Sequence, residues 1–250
     1  MPYCTIQNKQ FYYQEKGAGT PLIFLHGNTA SSNMFYEILP LYKGYRLILP
    51  DFLGNGKSQR LDCFPVDFWY DQACQLIELL DQLKLRECIL VGTSGGAIAA
   101  LNVALERPDL CRCVICDSFM GEKMEERLFH GFEEERIASL ENEESSLFYK
   151  NMQGEDYEKV VLQDTAMLVE HVKANIRCVH KYVEDLKVPV LLLGSSEDDM
   201  ITKIDSYYTA MCKRSSMLEM KVFDKGTHPS LCTNAKQCAY AIHEFIYRHI

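Results

Sequence analysis

The sequence predicts an α/β protein, in which a mostly parallel central sheet is flanked by helices and carries a small helical insertion. Apolar runs such as "PLIFLH" (21–26) and "VPVLLLG" (188–194) are continuous, as expected of strands buried on both faces of a sheet. These runs alternate with segments of helical apolar spacing, which is typical of a parallel sheet wrapped by helices. Between 118 and 186 the composition is helical and no strand run occurs.

Each element of this fold can be placed in order. Alternation in "TIQNKQFYYQE" predicts two short N-terminal strands or a hairpin. The strands predicted after them are 21–26, 45–51, 88–92, 112–117, 188–194 and 218–224. The helices predicted outside the insertion are a short one at 32–41, then 68–84, 95–106, 203–213 and a final helix with Ala235, Cys238, Ala239, Ile242, Phe245 and Ile246 on one face. On helix 68–84 the spacing places Gln75 on the polar side.

The break in this alternation predicts the domain organisation. Residues 1–117 and 187–250 are expected to form one core domain, and residues 118–186 a helical cap inserted into it. Residues 122–158 hold twelve acidic and only four basic side chains. This imbalance predicts either a solvated helical surface or an acidic lid that disfavours strongly anionic substrates.

Composition limits the classes of function. The chain has 250 residues and 47% of them are apolar, which suits one domain with an insertion and excludes global disorder. A formal net charge of −9 argues against nucleic acid or an anionic membrane as a partner. No signal-peptide pattern and no apolar run of membrane-spanning length occurs in the sequence, so a cytoplasmic protein is expected.

The 11 cysteines are expected to be reduced thiols. In "CRCVIC", Cys111 and Cys113 are expected to share one face of strand 112–117 and to pack as small apolar side chains. No histidine or second cysteine pair lies nearby at zinc-type spacing, so the sequence predicts no metal and no cofactor.

One serine stands at a strand-to-helix junction. In "ILVGTSGGAIAAL" (89–101), Ser94 lies inside a G-x-S-x-G pattern between strand 88–92 and helix 95–106. The glycines let strand and helix approach without Cβ clashes, which places the serine at the tip of the turn. The free N–H groups at the start of the helix favour an oxyanion beside it.

Other polar residues also follow predicted strands, and the carboxyl ends of parallel strands meet at one edge of the sheet. These residues are His26, Asn28, Asp51, Asp117, Glu197, Asp198, Asp199 and His228. The sequence therefore predicts a polar site around Ser94 at this edge.

Five segments resemble the α/β-hydrolase superfamily, and they cover nearly all of the chain outside 118–186. The segment "PLIFLHGNTASSNMF" resembles its HG oxyanion loop, "YRLILPDFLGNGKS" its loop after the next strand, "VGTSGG" its nucleophile elbow, "VPVLLLGSSEDDMI" its acid-bearing strand end and "FDKGTHPS" its histidine loop. The order serine, acid, histidine is also the order of this family. The resemblance implies an α/β-hydrolase fold with a catalytic triad and a cap.

The resemblance also implies a role for each site residue. Ser94 would be the nucleophile, His228 the base that activates it, and an acid would orient the imidazole. The family pattern aligned on "EDDMI" favours Asp198 as this acid. The alternatives are Asp199, Glu197 and Asp117.

The oxyanion hole would consist of the backbone N–H groups of Asn28 and Gly95. His26 and Asp51 are expected to support their loops rather than to react. Four further residues could either line an apolar acyl pocket or pack in the core: Met34, Phe35, Phe119 and Met120.

The favoured function is a serine hydrolase that cleaves a small carboxylic ester, or a related thioester or lactone, through an acyl-enzyme. The same triad could serve a carbon–carbon bond hydrolase or a lyase, and a non-enzymatic ligand sensor is a further alternative. "HGN" also resembles haloalkane dehalogenases, where the Asn side chain holds halide. Those enzymes and epoxide hydrolases use an aspartate nucleophile, whereas this chain has Ser94. The expected partner is a small molecule with an ester-like carbonyl, not nucleic acid or a membrane.

Overall fold

The computed structural model describes residues 3–124 and 131–249. Its centre is an eight-stranded sheet. The strands are β1 (Tyr3–Ile6), β2 (Lys9–Lys16), β3 (Pro21–Leu25), β4 (Arg46–Asp51), β5 (Cys88–Thr93), β6 (Cys111–Asp117), β7 (Val190–Ser195) and β8 (Leu218–Phe223). Their order in space is β1-β2-β4-β3-β5-β6-β7-β8. β2 is antiparallel to both of its neighbours, β1 and β4, and the six strands from β3 to β8 pair in parallel, which confirms the predicted mostly parallel sheet.

Helices flank the sheet. They are α1 (Phe68–Gln82), α2 (Gly95–Glu106), α3 (Phe132–Glu141), α4 (Glu143–Gln153), α5 (Tyr157–Lys173), α6 (Ile204–Cys212), α7 (Ser230–Thr233) and α8 (Ala235–His249). α2 is apolar all round and is buried from Gly95 to Leu105, as expected of a helix packed between the sheet and other helices. None of the helices in the described parts of the chain combines the length and apolarity that a membrane span requires.

The short helix predicted at 32–41 is replaced by two 3-10 helices, Ser32–Phe35 and Leu39–Tyr42. Pro40 lies in the second of them. Proline has no N–H to donate and disfavours helical geometry in the residue before it, so a continuous α-helix across this segment is disfavoured.

Two side-chain orientations also differ from the prediction. Gln75 is buried rather than on the polar side of α1, because its amide bonds the N–H of Leu53 at 2.9 Å and the carboxylate of Asp71 at 2.6 Å. Cys111 and Cys113 pack in different core clusters, not on one face. The register of β6 against β5 shifts between these two cysteines, and such a bulge reverses the expected alternation.

The described part of the predicted cap contains α3, α4 and α5, which follow β6 and precede β7. These helices contact the loops after β3 and β4. The buried Gln153 side chain of α4 accepts from the N–H of Gly56 at 2.7 Å and donates to the carbonyl of Ala30 at 2.9 Å. The boundaries 118–186 stay a prediction, and the part of them at 125–130 lies outside the described residues.

Candidate active site

Ser94 occupies the turn between β5 and α2 with φ 53° and ψ −124°, a conformation that is uncommon for a residue with a side chain. Its N–H donates to the carbonyl of Asp117 at 2.8 Å, and its carbonyl accepts from the N–H of Ala97 at 3.0 Å. Backbone strain of this kind persists only where surrounding structure holds it, and it concentrates at functional sites.

The surrounding glycines are required by close backbone approaches. A Cβ on Gly92 would overlap the carbonyl group of Gly96, and a Cβ on Gly96 would overlap the carbonyl of Leu25. A Cβ on Gly27 would lie 2.8 Å from the Cβ of Ser94. The turn therefore fits tightly between β3 and the start of α2, and it presents Ser94 at the carboxyl edge of the sheet.

A histidine–aspartate pair lies at the same edge. The Nδ1 atom of His228 is 3.0 Å from Oδ2 of Asp198, and the Asp198 side chain is fully shielded from solvent. The other oxygen, Oδ1, accepts hydrogen bonds from the N–H groups of Met200 at 3.0 Å and Ile201 at 2.8 Å. These two donors fix the carboxylate, so it can hold the imidazole in one orientation with Nε2 left for a reacting group.

The alternative acids occupy different positions. Glu197 and Asp199 are exposed, and Asp199 accepts a hydrogen bond from the backbone N–H of His228 at 2.9 Å instead of contacting the ring. Asp117 is completely buried, and its Oδ2 accepts from Thr93 Oγ1 at 2.7 Å and from the N–H of Leu231 at 3.0 Å. Burial raises the pKa of Asp117 to about 6. Of the four acids, only Asp198 contacts the His228 ring.

The two predicted oxyanion donors lie beside Ser94. Asn28 and Gly95 both line the cavity that Ser94 and His228 line. Within residues 3–124 and 131–249, neither backbone N–H donates a hydrogen bond to another backbone group. Both are therefore available to an oxygen atom placed next to the serine.

The Asn28 side chain is part of a hydrogen-bond network that was not predicted from the sequence. Its Oδ1 accepts from the indole N–H of Trp69 at 3.1 Å, and its Nδ2 donates to Oδ2 of Asp164 at 2.7 Å. Asp164 lies on α5 and is fully buried. The single tryptophan of the chain could have signalled Trp69, and the apolar residues three and four positions away from Asp164 could have signalled its burial.

The cavity has a volume of about 100 Å³, small against the several hundred Å³ of most ligand pockets. Phe119 and Met120 line it, whereas Phe35 and Met34 pack in a core cluster elsewhere. The described residues that line it are Asn28, Trp69, Ser94, Gly95, Ile98, Ser118, Phe119, Met120, Met124, Phe132, Arg136, Leu168, Met200, Ile201 and His228. No three His, Cys, Asp or Glu side chains in the described ranges are grouped to hold a metal ion.

His26 and Asp51 join the loops around the site. Nδ1 of His26 donates to the carbonyl of Gly27 at 2.8 Å, and Nε2 accepts from the N–H of Phe52 at 3.0 Å, so the ring is neutral. Burial lowers the pKa of His26, which also favours this form. The Asp51 carboxylate accepts from the N–H groups of Ser32 and Lys57, each at 2.8 Å.

The acidic residues of segment 122–158 do not line the cavity where the structure describes them. Nine of them are exposed: Glu133, Glu134, Glu135, Glu141, Glu143, Glu144, Glu155, Asp156 and Glu158. Glu122 is paired with Arg177 at 3.1 Å and with Arg214. Glu125 and Glu126 lie outside the described residues. The charged side chain that does line the cavity from this segment is Arg136.

Comparison with known proteins agrees with this architecture. A family model described as the alpha/beta hydrolase fold matches residues 20–136. The similarity in fold extends over nearly the whole chain. A meta-cleavage product hydrolase from Pseudomonas fluorescens superposes with a TM-score of 0.79 over 98% of this chain and 97% of that one, at 17% identity. Residues 20–136 thus match the family model of the α/β-hydrolase fold, the chain has that fold over nearly its whole length, and the predicted fold class is confirmed.

The relatives found by sequence similarity are named for several different activities. A haloalkane dehalogenase of Mesorhizobium japonicum is 36% identical over 99 residues, which is 38% of this chain and 31% of that protein. A 2-hydroxymuconate semialdehyde hydrolase of Pseudomonas sp. is 36% identical over 107 residues, 40% of this chain and 37% of that protein. An sn-1-specific diacylglycerol lipase of Danio rerio is 35% identical over 109 residues, 42% and 33% of the two chains. The match spans about a third of the length of each of these relatives.

Proposed function

We propose that this protein is a serine hydrolase that cleaves a small carboxylic ester, or a related thioester or lactone, through an acyl-enzyme. The observation that carries the proposal is one cavity shared by Ser94, at a positive φ on its turn, and His228, whose ring is held by Asp198 at 3.0 Å. A serine hydroxyl needs such a base to become a nucleophile near neutral pH.

Each residue would have one task in the reaction. His228 takes the proton of Ser94 as the oxygen attacks the carbonyl carbon, and later gives that proton to the leaving alcohol. Asp198 orients the imidazole and stabilises its charged form. The N–H groups of Asn28 and Gly95 bind the oxyanion of the tetrahedral intermediate. Water, activated by His228 in the same way, then releases the acid.

The nucleophile Ser94 does not fit the reaction for which the dehalogenase relative is named. Displacement of halide from an alkyl carbon by a carboxylate forms an ester, which water can hydrolyse. The same displacement by Ser94 would form an ether, which lacks a carbonyl for water to attack and would end turnover after one event. An acyl carbon is therefore the reaction centre that fits Ser94.

Labelling with a fluorophosphonate probe tests the nucleophile directly. We expect the wild type to be labelled and Ser94→Ala not to be. Ser206→Ala is the matched control, because Ser206 is exposed on α6 and contributes nothing to the cavity, so it should be labelled like the wild type. Absence of labelling together with no turnover of short p-nitrophenyl esters would overturn the proposal and favour a ligand-sensing protein.

Carbon–carbon bond hydrolysis is the second candidate, favoured by the match to 2-hydroxymuconate semialdehyde hydrolase over 107 residues. Attack on a ketone carbonyl would use the same serine and oxyanion donors, but the leaving carbon would also need a proton. Incubation with 2-hydroxymuconate semialdehyde distinguishes the two. Turnover of this compound at a higher kcat/KM than short esters would favour the second candidate.

A further inference from the structure

The cavity around Ser94 is apolar apart from a few groups, and one of these is a cation. Arg136 projects from α3, where its neighbours Glu133, Glu134 and Glu135 are exposed, while Arg136 itself is half-buried and lines the cavity. The apolar lining comes from Trp69, Ile98, Phe119, Met120, Leu168 and Ile201. A guanidinium facing such a surface is partly dehydrated, which strengthens its attraction for an anionic partner.

Within the described residues, one hydrogen bond engages the guanidinium of Arg136. One of its terminal nitrogens, Nη1, donates to Oγ1 of Thr29 at 3.0 Å, and the guanidinium lies 5.0 Å from the centre of the Phe132 ring. An arginine side chain carries five N–H donors in a planar fork. Across residues 3–124 and 131–249, no carboxylate forms an ion pair with Arg136.

A second ionisable group that interacts electrostatically with Arg136 is the carboxyl of Asp164. Its Oδ2 accepts from Asn28 at 2.7 Å, and it is not in ion-pair contact with Arg136. Burial raises the pKa of Asp164, and Arg136 opposes that shift from a distance. Since Asp164 makes no ion pair with Arg136 in the described structure, it leaves the donors of the guanidinium open to a ligand.

We propose that Arg136 binds a carboxylate of the substrate, so that the substrate is a small molecule carrying both a cleavable acyl bond and a carboxylate a few carbon atoms away. This inference rests on the proposed function, because it takes the cavity beside Ser94 as the substrate site. A planar fork matches a carboxylate with two parallel hydrogen bonds. The volume of about 100 Å³ limits the spacer between the two groups to a short chain.

A carboxylate suits this cavity better than a phosphate group. A phosphate monoester carries nearly two negative charges at neutral pH, and Arg136 is the one Lys or Arg among the described residues that line the cavity. A single guanidinium neutralises one charge. The single positive charge of Arg136 therefore matches a substrate that carries one carboxylate.

Matched substrates test the assignment through catalysis. The pair is mono-p-nitrophenyl succinate, which carries the carboxylate, and p-nitrophenyl butyrate, which has an acyl chain of the same length without it. We expect the wild type to prefer the succinate, and Arg136→Gln to lower the ratio of the two kcat/KM values about 10- to 100-fold, since a charge-assisted bidentate contact is lost. Arg136→Lys should recover part of the ratio.

The control variant is Lys150→Gln, which removes one positive charge from α4 at a position paired with Glu155 and away from the cavity. It should leave the ratio at the wild-type value. An equal loss on both esters in Arg136→Gln, or an unchanged ratio, would overturn the carboxylate subsite.

A binding measurement separates this inference from the proposed hydrolysis. Monomethyl succinate should raise the Tm of Ser94→Ala, which cannot turn it over, and should not raise that of Ser94→Ala/Arg136→Gln. Inorganic phosphate should raise neither. If monomethyl succinate binds but no ester is cleaved, the proposed reaction is wrong and the subsite stands; if esters are cleaved but the two Tm responses are equal, the subsite is wrong.

Discussion

Asp117 should make the stability of this protein depend on pH in a direction opposite to that of an ion-paired carboxylate. It is fully buried at the end of β6, and burial raises its pKa to about 6, against the favourable effects of donors from Thr93 and Leu231 and of the nearby His228. In the unfolded chain an aspartate has a pKa of about 3.9. Between these values the folded protein binds a proton that the unfolded chain has released.

The sign and size of the effect follow from linkage. The contribution of Asp117 is most favourable below about pH 4, where both states are protonated, and it declines as pH rises towards 6. A difference of roughly two pKa units corresponds to about 3 kcal/mol in the free energy of unfolding. Above about pH 6 both states are ionised and the contribution becomes constant.

The variant Asp117→Asn isolates this term, because the amide oxygen can still accept from Thr93 and from the N–H of Leu231 but cannot titrate. Urea unfolding followed by circular dichroism at pH 4, 5, 6 and 7 gives the free energies. The wild type should lose about 2 kcal/mol relative to the variant over this range, because part of the change lies below pH 4. Asp224→Asn, at an exposed position, is the control. A difference between wild type and Asp117→Asn that stays constant from pH 4 to 7 would refute the reasoning.

Three further perturbations test the site and the cap. Asp198→Asn should lower kcat about 10⁴-fold, because the amide cannot stabilise charged His228; a loss of less than tenfold in steady-state ester hydrolysis would remove Asp198 from this role. Gly95→Ala puts a Cβ against the side-chain oxygen of Asn28 and should lower kcat about 100-fold or more with the fold intact by circular dichroism; full activity would contradict the tight turn. Gln153→Ala loses three side-chain hydrogen bonds to the loops after β3 and β4 and should lower the free energy of unfolding in urea by about 1–3 kcal/mol; an unchanged midpoint would show that they contribute nothing.

The sheet could be predicted from sequence because its signal is local. Runs such as 21–26 and 188–194 are apolar throughout, and the structure places strands at Pro21–Leu25 and Val190–Ser195. The errors occurred where a tertiary contact overrides the local pattern. Gln75 is polar by type, yet the loop after β4 offers it a backbone N–H and it is buried. The alternation of Cys111 and Cys113 is reversed by a register shift that only the pairing with β5 reveals.

Some residues of the candidate site also have a local sequence signal, whereas others are determined by tertiary contacts. Ser94 and His228 stand at junctions that the sequence marks with glycines and with a strand end, so both could be nominated without coordinates. The choice among three consecutive acids could not be made from spacing, because it depends on which side chain the turn after β7 points inwards. There Asp198 is buried and its two neighbours are exposed. Arg136 could not be found at all, since nothing in an acidic helix shows which of its charges faces the core.

Helices α4 and α5 contact the loop after β3, which also carries the proposed oxyanion donor Asn28. Gln153 of α4 bonds the carbonyl of Ala30, two residues after Asn28, and Asp164 of α5 accepts a hydrogen bond from the Asn28 side chain itself. A displacement of α5 therefore cannot leave Asn28 where it is unless that 2.7 Å contact breaks. Since this contact joins α5 to the proposed oxyanion donor, substitutions at Asp164 should change kcat and KM together rather than KM alone.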